Sequence, residues 1–186
     1  GNVSYFGRGK ILSFDTGPGN IFVDLAVERA TKGKKKYDRS GAMAAKGTAS
    51  QKALQKWLRH RYFSLKPPKS CGREQFGPQH FKKYLQDLKR FSKEDVVATF
   101  TEFTVQSIAK SYRDHLPKIP DVVVLCGGGA LNNEMRFQLS SCLDSSKVIT
   151  SEDLGWPVQS IEGAAFAQLG AYRLWNKVNN LPETTG

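Results

Sequence analysis

Ile11-Leu12-Ser13-Phe14-Asp15-Thr16-Gly17-Pro18-Gly19-Asn20 leads directly into Ile21-Phe22-Val23-Asp24-Leu25-Ala26-Val27. The apolar run stops at Phe14, small and polar residues follow, and Ile21, Leu25 and Glu28 recur at helical spacing. The pattern predicts a strand, a tight turn and a helix, with Asn20 as the helix N-cap. Gly17 and Gly19 permit positive φ and carry no Cβ to block a ligand, and Pro18 stiffens the loop between them. The first amides of the helix, at the positive end of its dipole, then face open space. Asp15 and Thr16 add a carboxylate and a hydroxyl at the end of the strand. Such a loop suits a phosphate or the hydroxyls of a sugar. It equally suits a plain strand-to-helix turn that takes glycine for its shape alone.

Upstream, residues 2–6 and 10–14 are β-type runs around Gly7-Arg8-Gly9, the pattern of a β-hairpin. Downstream, the helix from Ile21 is expected to end near Lys32-Gly33, with Gly33 as C-cap. Lys34-Lys35-Lys36 reads as a solvent-facing loop, and Asp38 as an acceptor of loop amides. Residues 48–63 read as a helix with Leu54, Trp57, Leu58 and Tyr62 along one face. Pro67-Pro68, Gly72 and Gly77 predict an irregular stretch over residues 65–78. Its Lys69, Ser70 and Arg73 suit a phosphate or sugar acid, Arg73 through paired donors; alternatively Arg73 and Glu74 pair and shape the loop.

Phe81, Tyr84, Leu85 and Leu88 predict another helix, closed at Phe91-Ser92. Ser92 caps the next, with Asp95 at its third position, and this helix runs to about His115. Its inward stripe is Val97, Phe100, Thr104, Ile108 and Tyr112. Among Thr99, Thr101 and Thr104, one or two hydroxyls are candidates to face a ligand, the others packing or bonding back. Asp121 to Cys126 is a continuous apolar run, suited to a strand buried on both faces. Gly127-Gly128-Gly129-Ala130 then turns into a helix near Asn132, a second strand, glycine turn and helix. Three glycines let a ligand approach the backbone, although an ordinary turn is the simpler alternative. The turn lacks the Gly-Lys-Ser/Thr ending of a P-loop. Phe137, Leu139 and Leu143 are expected to cover the sheet, and residues 147–150 to form a last strand. Residues 160–175 read as a helix with Ile161, Ala165, Phe166, Leu169, Tyr172 and Leu174 mostly inward. Glu162 lies in its first turn, where the dipole favours a carboxylate. Residues 179–186 read as a loosely held loop.

At 186 residues the chain suits one domain. The formal net charge of +11 divides into +15 over residues 1–93 and −4 over residues 94–186. A basic half attracts polyanions. The cations are scattered over helices, however, and no RNP sequence or Cys/His finger occurs, so nucleic-acid binding is disfavoured against a solvated basic surface. No apolar run approaches the roughly 18 residues of a membrane span, and no secretion signal opens the chain. Cys71, Cys126 and Cys142 have no metal-ligand spacing and suggest reduced thiols in the cytoplasm, with Cys126 and Cys142 buried.

The motifs together resemble the anhydro-N-acetylmuramic acid kinases, sugar kinases of the superfamily that includes hexokinase and actin. They begin with the Asp15 to Asn20 stretch. Tyr37-Asp38 with Gly41, Pro67-Pro68-Lys69-Ser70-Cys71-Gly72-Arg73-Glu74 and Asp95-Val96-Val97-Ala98-Thr99-Phe100-Thr101-Glu102 follow. Cys126-Gly127-Gly128-Gly129-Ala130-Leu131-Asn132, Glu162 before Ala164-Ala165-Phe166-Ala167, and Asn180-Leu181-Pro182 near a terminal Thr-Gly complete the set. The order spans essentially the whole chain. Cys71 stands where the family usually has threonine.

The resemblance implies an α/β fold: an incomplete ribonuclease-H-like lobe of the actin-like ATPase and sugar kinase superfamily, with a mixed sheet and several helices. Residues 1–186 would form the C-terminal lobe, without the N-terminal lobe and without the central strand that opens this lobe. Loss of that strand would expose backbone donors and acceptors on its neighbours. The resemblance also implies sugar contacts from Asp15, Thr16, Gly17, Gly19, Asn20 and Glu162. It implies ATP contacts from Gly127, Gly128, Gly129, Ala130 and Asn132, and a ligand-proximal loop holding Lys69, Ser70 and Arg73. In the family reaction, part of peptidoglycan and amino-sugar recycling, ATP phosphorylates the primary alcohol while water opens the anhydro bridge. The product is N-acetylmuramic acid 6-phosphate. An aspartate acts as general base and magnesium screens the phosphates. That aspartate belongs to the missing lobe, so no catalytic residue and no metal ligand maps onto this chain. The expected partners are the anhydro sugar, ATP, and either a complementing N-terminal lobe or a second copy of the chain. The chain alone is expected to be inactive. The alternatives are a non-catalytic sugar or nucleotide sensor or scaffold and, less favoured, a basic nucleic-acid-binding module.

Overall fold

The computed structural model describes residues 1–7, 9–181 and 184. Arg8 of the hairpin turn, Pro182 of the Asn180-Leu181-Pro182 match and the terminal Thr185-Gly186 lie outside the described residues.

Strands β1 (Asn2–Gly7) and β2 (Lys10–Asp15) form the expected antiparallel hairpin, with Asn2 opposite Asp15 and Gly7 opposite Lys10. Val3, Tyr5 and Phe14 turn inward. Helix α1 (Ile21–Ala30) buries Phe22, Val23, Ala26 and Val27. Gly33, at φ +81, closes it by donating its amide to the Glu28 carbonyl at 2.7 Å. The carboxylate of Asp38 holds the next loop, accepting the Met43 and Ala44 amides at 2.9 Å each.

The helix expected over residues 48–63 is broken. Helix α2 (Gln51–Trp57) starts at Ser50, whose hydroxyl accepts from the Ala53 amide, and ends at Leu58. His60 is extended at φ −58, ψ 135, and its ring accepts the Tyr62 amide to start a separate turn over Arg61–Ser64. The break carries the Tyr62 hydroxyl to the Asp15 carbonyl at 2.7 Å and buries Phe63. Those tertiary contacts outweigh helical continuity. Leu54, Trp57 and Tyr62 are still buried as their spacing implied. The following irregular stretch contains a cis Pro67–Pro68 peptide and leads to α3 (Arg73–Phe76) and α4 (Pro78–Leu85).

Helix α5 (Lys93–His115) is the central element, packed against α1, α2 and, beyond it, α6 (Asn133–Cys142). Ser92 caps it, accepting the Asp95 amide at 3.1 Å, while the Asp95 carboxylate reaches the Thr48 amide at 2.7 Å. The apolar stripe is only one of its buried faces, since Thr99, Thr101, Thr104, Ser107 and Ser111 are buried as well. Small hydroxylated side chains let neighbouring loops approach the helix closely. The core centres on Phe22, whose ring lies 5.2 to 6.5 Å from those of Phe76, Phe81, Tyr84, Phe100 and Phe103.

Strands β3 (Val122–Leu125) and β4 (Lys147–Thr150) pair in parallel, with α6 crossing between them. The architecture is mixed α/β, but the strands form two separate two-stranded sheets among the described residues, not one mixed sheet. Helix α6, with the buried Leu139, and Leu143 just after it pack on one side of this pair. The other face is open: Val122 and Val124 are 49% and 42% exposed, so β3 is not buried on both faces. Cys126 continues this uncovered strand and is exposed, contrary to expectation, while Cys71 and Cys142 are half-buried; all three thiols are free. Phe137 points away from the sheet into solvent. Helix α7 (Ser160–Leu174) has the expected span but buries none of its residues. Phe166, Leu169 and Leu174, expected inward, are exposed because little of the described protein packs on them. The chain after it turns back along the helix, where the Asn179 amide group donates to the Leu169 carbonyl at 3.3 Å. Among the described residues no helix is long and apolar enough to cross a membrane.

Candidate functional site

The loop from Asp15 to Asn20 joins β2 to α1, and protein encloses most of it. The Asp15 amide donates to the Lys69 carbonyl at 3.0 Å, and one Asp15 carboxylate oxygen accepts the Cys71 amide at 2.8 Å. The 67–74 loop therefore lies directly on the Asp15 turn. Thr16 is 1% exposed, and both its amide and its hydroxyl donate to the Gly1 carbonyl, at 2.7 and 3.1 Å. Gly17 sits at φ +149, and a Cβ there would lie 3.0 Å from Ser107 Oγ and 3.1 Å from Phe63 Cε1. Gly19 sits at φ +57, and a Cβ would come within 2.6 Å of the Gly1 nitrogen. Glycine at these two positions is thus required by the close approach of α5 and Phe63 to Gly17, and of Gly1, just before β1, to Gly19. Thr104, on α5, grips the same loop by donating to the Gly19 carbonyl at 2.6 Å.

Asn20 behaves differently. It precedes α1 in a helical conformation and its side chain makes no cap hydrogen bond. It faces the second glycine turn instead. A Cβ built on Gly129 would lie 3.1 Å from Asn20 Oδ1, and one on Gly128 would lie 3.6 Å from Asn20 Nδ2. The two strand-to-helix turns thus meet across the Asn20 side chain. Gly127, at φ +76, has open space on its side-chain side and donates its amide to the Val158 carbonyl at 2.7 Å. Ala130 is buried, and the buried Asn132 caps α6 by accepting the Met135 amide at 3.0 Å. The open wall is therefore Asn20 with Gly127 and Gly128, while Ala130 and Asn132 hold the turn from behind.

Lys69 and Arg73 part company. The Lys69 ammonium points back over the Tyr62 ring, 4.8 Å from its centre and 3.3 Å from His115 Nε2. Burial lowers the Lys69 pKa, and burial followed by the Lys69 charge lowers that of His115. Ser70 and Arg73 are exposed. No Arg73–Glu74 ion pair forms among the described residues; Glu74 instead accepts the Gly72 amide at 2.7 Å and stiffens the loop. Glu162 lies exposed in the first turn of α7, and among the described residues it forms no ion pair. Of the three threonines on α5, Thr99 bonds back to the Asp95 carbonyl at 2.6 Å, Thr104 holds Gly19, and Thr101 Oγ1 is buried without a partner. Among the described residues no three His, Cys, Asp or Glu side chains converge as a metal site.

Sequence reasoning missed one participant and one perturbed carboxyl close to the loop. Cys71 contributes its backbone amide to Asp15, which no side-chain pattern signals. Asp24 lies one helical turn beyond Asn20, and burial raises its carboxyl pKa to about 6. Its place in the first turn of α1 was legible; its burial depends on packing.

Comparison with known proteins agrees with the resemblance. The family model described as anhydro-N-acetylmuramic acid kinase matches residues 1–186. A curated anhydro-N-acetylmuramic acid kinase of Trichormus variabilis is 44% identical over 179 residues, covering 95% of this chain and 46% of that protein. Proteins of the same name from a Cyanothece species and from Gloeobacter violaceus are 41% and 39% identical, each over 100% of this chain and 49% of their own length. The chain spans about half the length of these relatives. With the ordered motifs and both glycine turns in place, the chain belongs to the anhydro-N-acetylmuramic acid kinase family.

Proposed function

We propose that residues 1–186 are the C-terminal portion of an anhydro-N-acetylmuramic acid kinase, an incomplete ribonuclease-H-like lobe that supplies one wall of the ATP and sugar cleft. The observation that carries this reading is the meeting of the two glycine turns at Asn20. One ligand spanning that gap would touch both, as a sugar beside a nucleotide does. Gly127 and Gly128 present open backbone to ATP, and Asn20 stands between the nucleotide and the sugar. Asp15, Thr16, Gly17 and Gly19 then act mainly by fixing the position of Asn20 and the first amides of α1. The 67–74 loop braces Asp15 and leaves Ser70 and Arg73 exposed for an anionic group of the substrate. Glu162 would join the sugar only once α7 docks.

The whole reaction needs ATP, metal, sugar and water held together, and most of its rate comes from that positioning. This chain is assigned no general base and no magnesium ligand, and one wall does not exclude bulk water. It therefore binds but does not turn over, and requires a complementing N-terminal lobe. The test follows ADP release from magnesium, ATP and the anhydro sugar, for the chain alone and after addition of the N-terminal half of a relative. Sugar-dependent turnover only in the mixture is expected. Turnover by the chain alone that Asp15→Asn abolishes would overturn the reading. A sugar or nucleotide sensor is the second reading, favoured by the internal bonds that already occupy Thr16 and one oxygen of Asp15. It predicts ligand binding with no turnover in either sample.

A further inference from the structure

A separate pocket opens between the end of α2 and α4, with a cavity volume of ≈ 440 Å³. Lys56, Arg59, His60, His80, Lys83 and Asp87 ring it, over a floor of Trp57 and Tyr84. It shares no residue with the two glycine turns or the 67–74 loop. The floor is rigid: Trp57 stacks on Phe100 with ring centres 5.0 Å apart and meets Tyr84 edge-on at 5.0 Å.

The ring is basic, and its charges are unequally committed. Asp87, the one carboxylate, accepts Lys56 Nζ at 2.7 Å and Trp57 Nε1 at 2.8 Å. Burial alone would raise its pKa, but those two bonds hold it below the usual carboxylate value. Asp87 and Lys56 thus neutralise each other. Arg59 and Lys83 make no side-chain hydrogen bond or ion pair among the described residues. His60 accepts the Tyr62 amide on Nδ1 at 3.2 Å, which leaves Nε2 as a donor in the neutral ring. His80 Nδ1 is buried without a partner. Burial, then the neighbouring His80, lowers the His60 pKa, as expected where positive groups converge. Convergent cations over a low-dielectric floor concentrate anions. The volume is that of a small-molecule site, not of a groove for a polymer.

We propose that this pocket binds the phosphate monoester of a sugar-sized molecule. The Arg59 fork, the Lys83 ammonium and the two imidazoles supply donors for the phosphate oxygens, and the half-buried Tyr84 ring, backed by the buried Trp57, offers the surface for a carbon ring. The site accounts for part of the excess positive charge that the family assignment leaves without a role.

The test titrates the 186-residue chain at constant ionic strength with inorganic phosphate, N-acetylglucosamine 6-phosphate and N-acetylglucosamine, following the ring signals of His60 and His80 by NMR. The phosphate ester is expected to raise both histidine pKa values and to bind about tenfold tighter than inorganic phosphate, with the bare sugar inert. Arg59→Ala with Lys83→Ala should weaken the ester by at least about tenfold. Lys34→Ala with Lys35→Ala, which removes the same charge from an exposed loop, should leave it unchanged. Arg59 and Lys83 are exposed, so folding is expected to survive, and the near-ultraviolet dichroism of the packed aromatic residues reports it. Equal affinity for inorganic phosphate and the ester would overturn the proposal. So would equal loss in both double variants, or a response to an RNA oligomer alone.

Discussion

Helix α5 and helix α7 are both rich in apolar residues, yet one is buried on nearly every side and the other on none. Residues 1–116 wrap α5 with α1, α2 and α4, and Phe22 within this shell is fully buried. Residues 121–181 place two paired strands against α6, leave the outer face of β3 open and project α7 from the rest. Both regions carry a glycine turn leading into a helix. What separates them is opposing surface, since apolar area stabilises only when something covers it. The first region is covered by its own helices and by α6, whereas the rest of the second presents Val122, Val124, Phe166 and Leu169 to solvent.

The sharpest way to break this contrast is a pair of matched truncations. Phe22→Ala removes a ring packed against five others and should cost about 4 kcal/mol. Phe166→Ala, at a side chain 66% exposed, should change stability by less than about 0.5 kcal/mol. Urea denaturation monitored by circular dichroism measures both. Comparable losses would mean that α7 is docked in solution and that the two regions do not differ.

The same contrast marks what the sequence could reveal. The hairpin, the Ser92 cap, the course of α5 and strand β4 follow from local pattern, because each is fixed by residues a few positions apart. Asp38 was legible for the same reason, the amides that donate to it being five and six residues away. The break after α2 was not, because it depends on Tyr62 reaching Asp15, 47 residues away. The periodicity of α7 gave its span and implied an inward face, but periodicity names no partner. The site was legible in part. The Gly17 and Gly19 turn was found at the right place, yet its glycines answer to Ser107, Phe63 and Gly1, contacts invisible along the chain. The meeting of Asn20 with Gly128 and Gly129 is likewise a product of folding alone.

First-turn carboxylates sharpen the comparison further. Asp24 in α1 is half-buried and its pKa stands at about 6, raised by burial from the model-compound value of 3.8. An acid whose folded pKa exceeds its unfolded one favours folding in its protonated form. Stability should therefore fall as pH rises from about 4 to about 6 and then level off. After allowance for solvent screening and for the favourable helix dipole, Asp24→Asn should stabilise by about 1 kcal/mol at neutral pH and have little effect near pH 3. Glu162→Gln in the exposed first turn of α7 should alter stability by less than about 0.5 kcal/mol. Thermal melts of both variants across that range provide the measurement. An Asp24→Asn variant that is destabilised at neutral pH would show that the carboxylate holds a favourable partner there.

The smallest stability effect carries the most information about the site. Gly17 and Gly128 occupy matching turns, but a side chain at Gly17 would strike Ser107 and Phe63. At Gly128 the nearest atom to a new Cβ is Asn20 Nδ2 at 3.6 Å, an ordinary van der Waals contact. The Gly128 backbone also lies outside the left-handed region, so a Cβ is accommodated without backbone strain. Gly128→Val should therefore leave the melting temperature nearly unchanged, with a stability change below about 0.5 kcal/mol. If ATP lies against this backbone, the valine side chain occupies its space, and affinity should fall by more than about tenfold, or about 1.4 kcal/mol. Calorimetric titration of the folded variant against the parent, with or without the complementing lobe, separates the two effects. Superimposable titrations would mean that the glycines of the second turn serve only its packing against Asn20, as those of the first serve its packing against α5, Phe63 and Gly1.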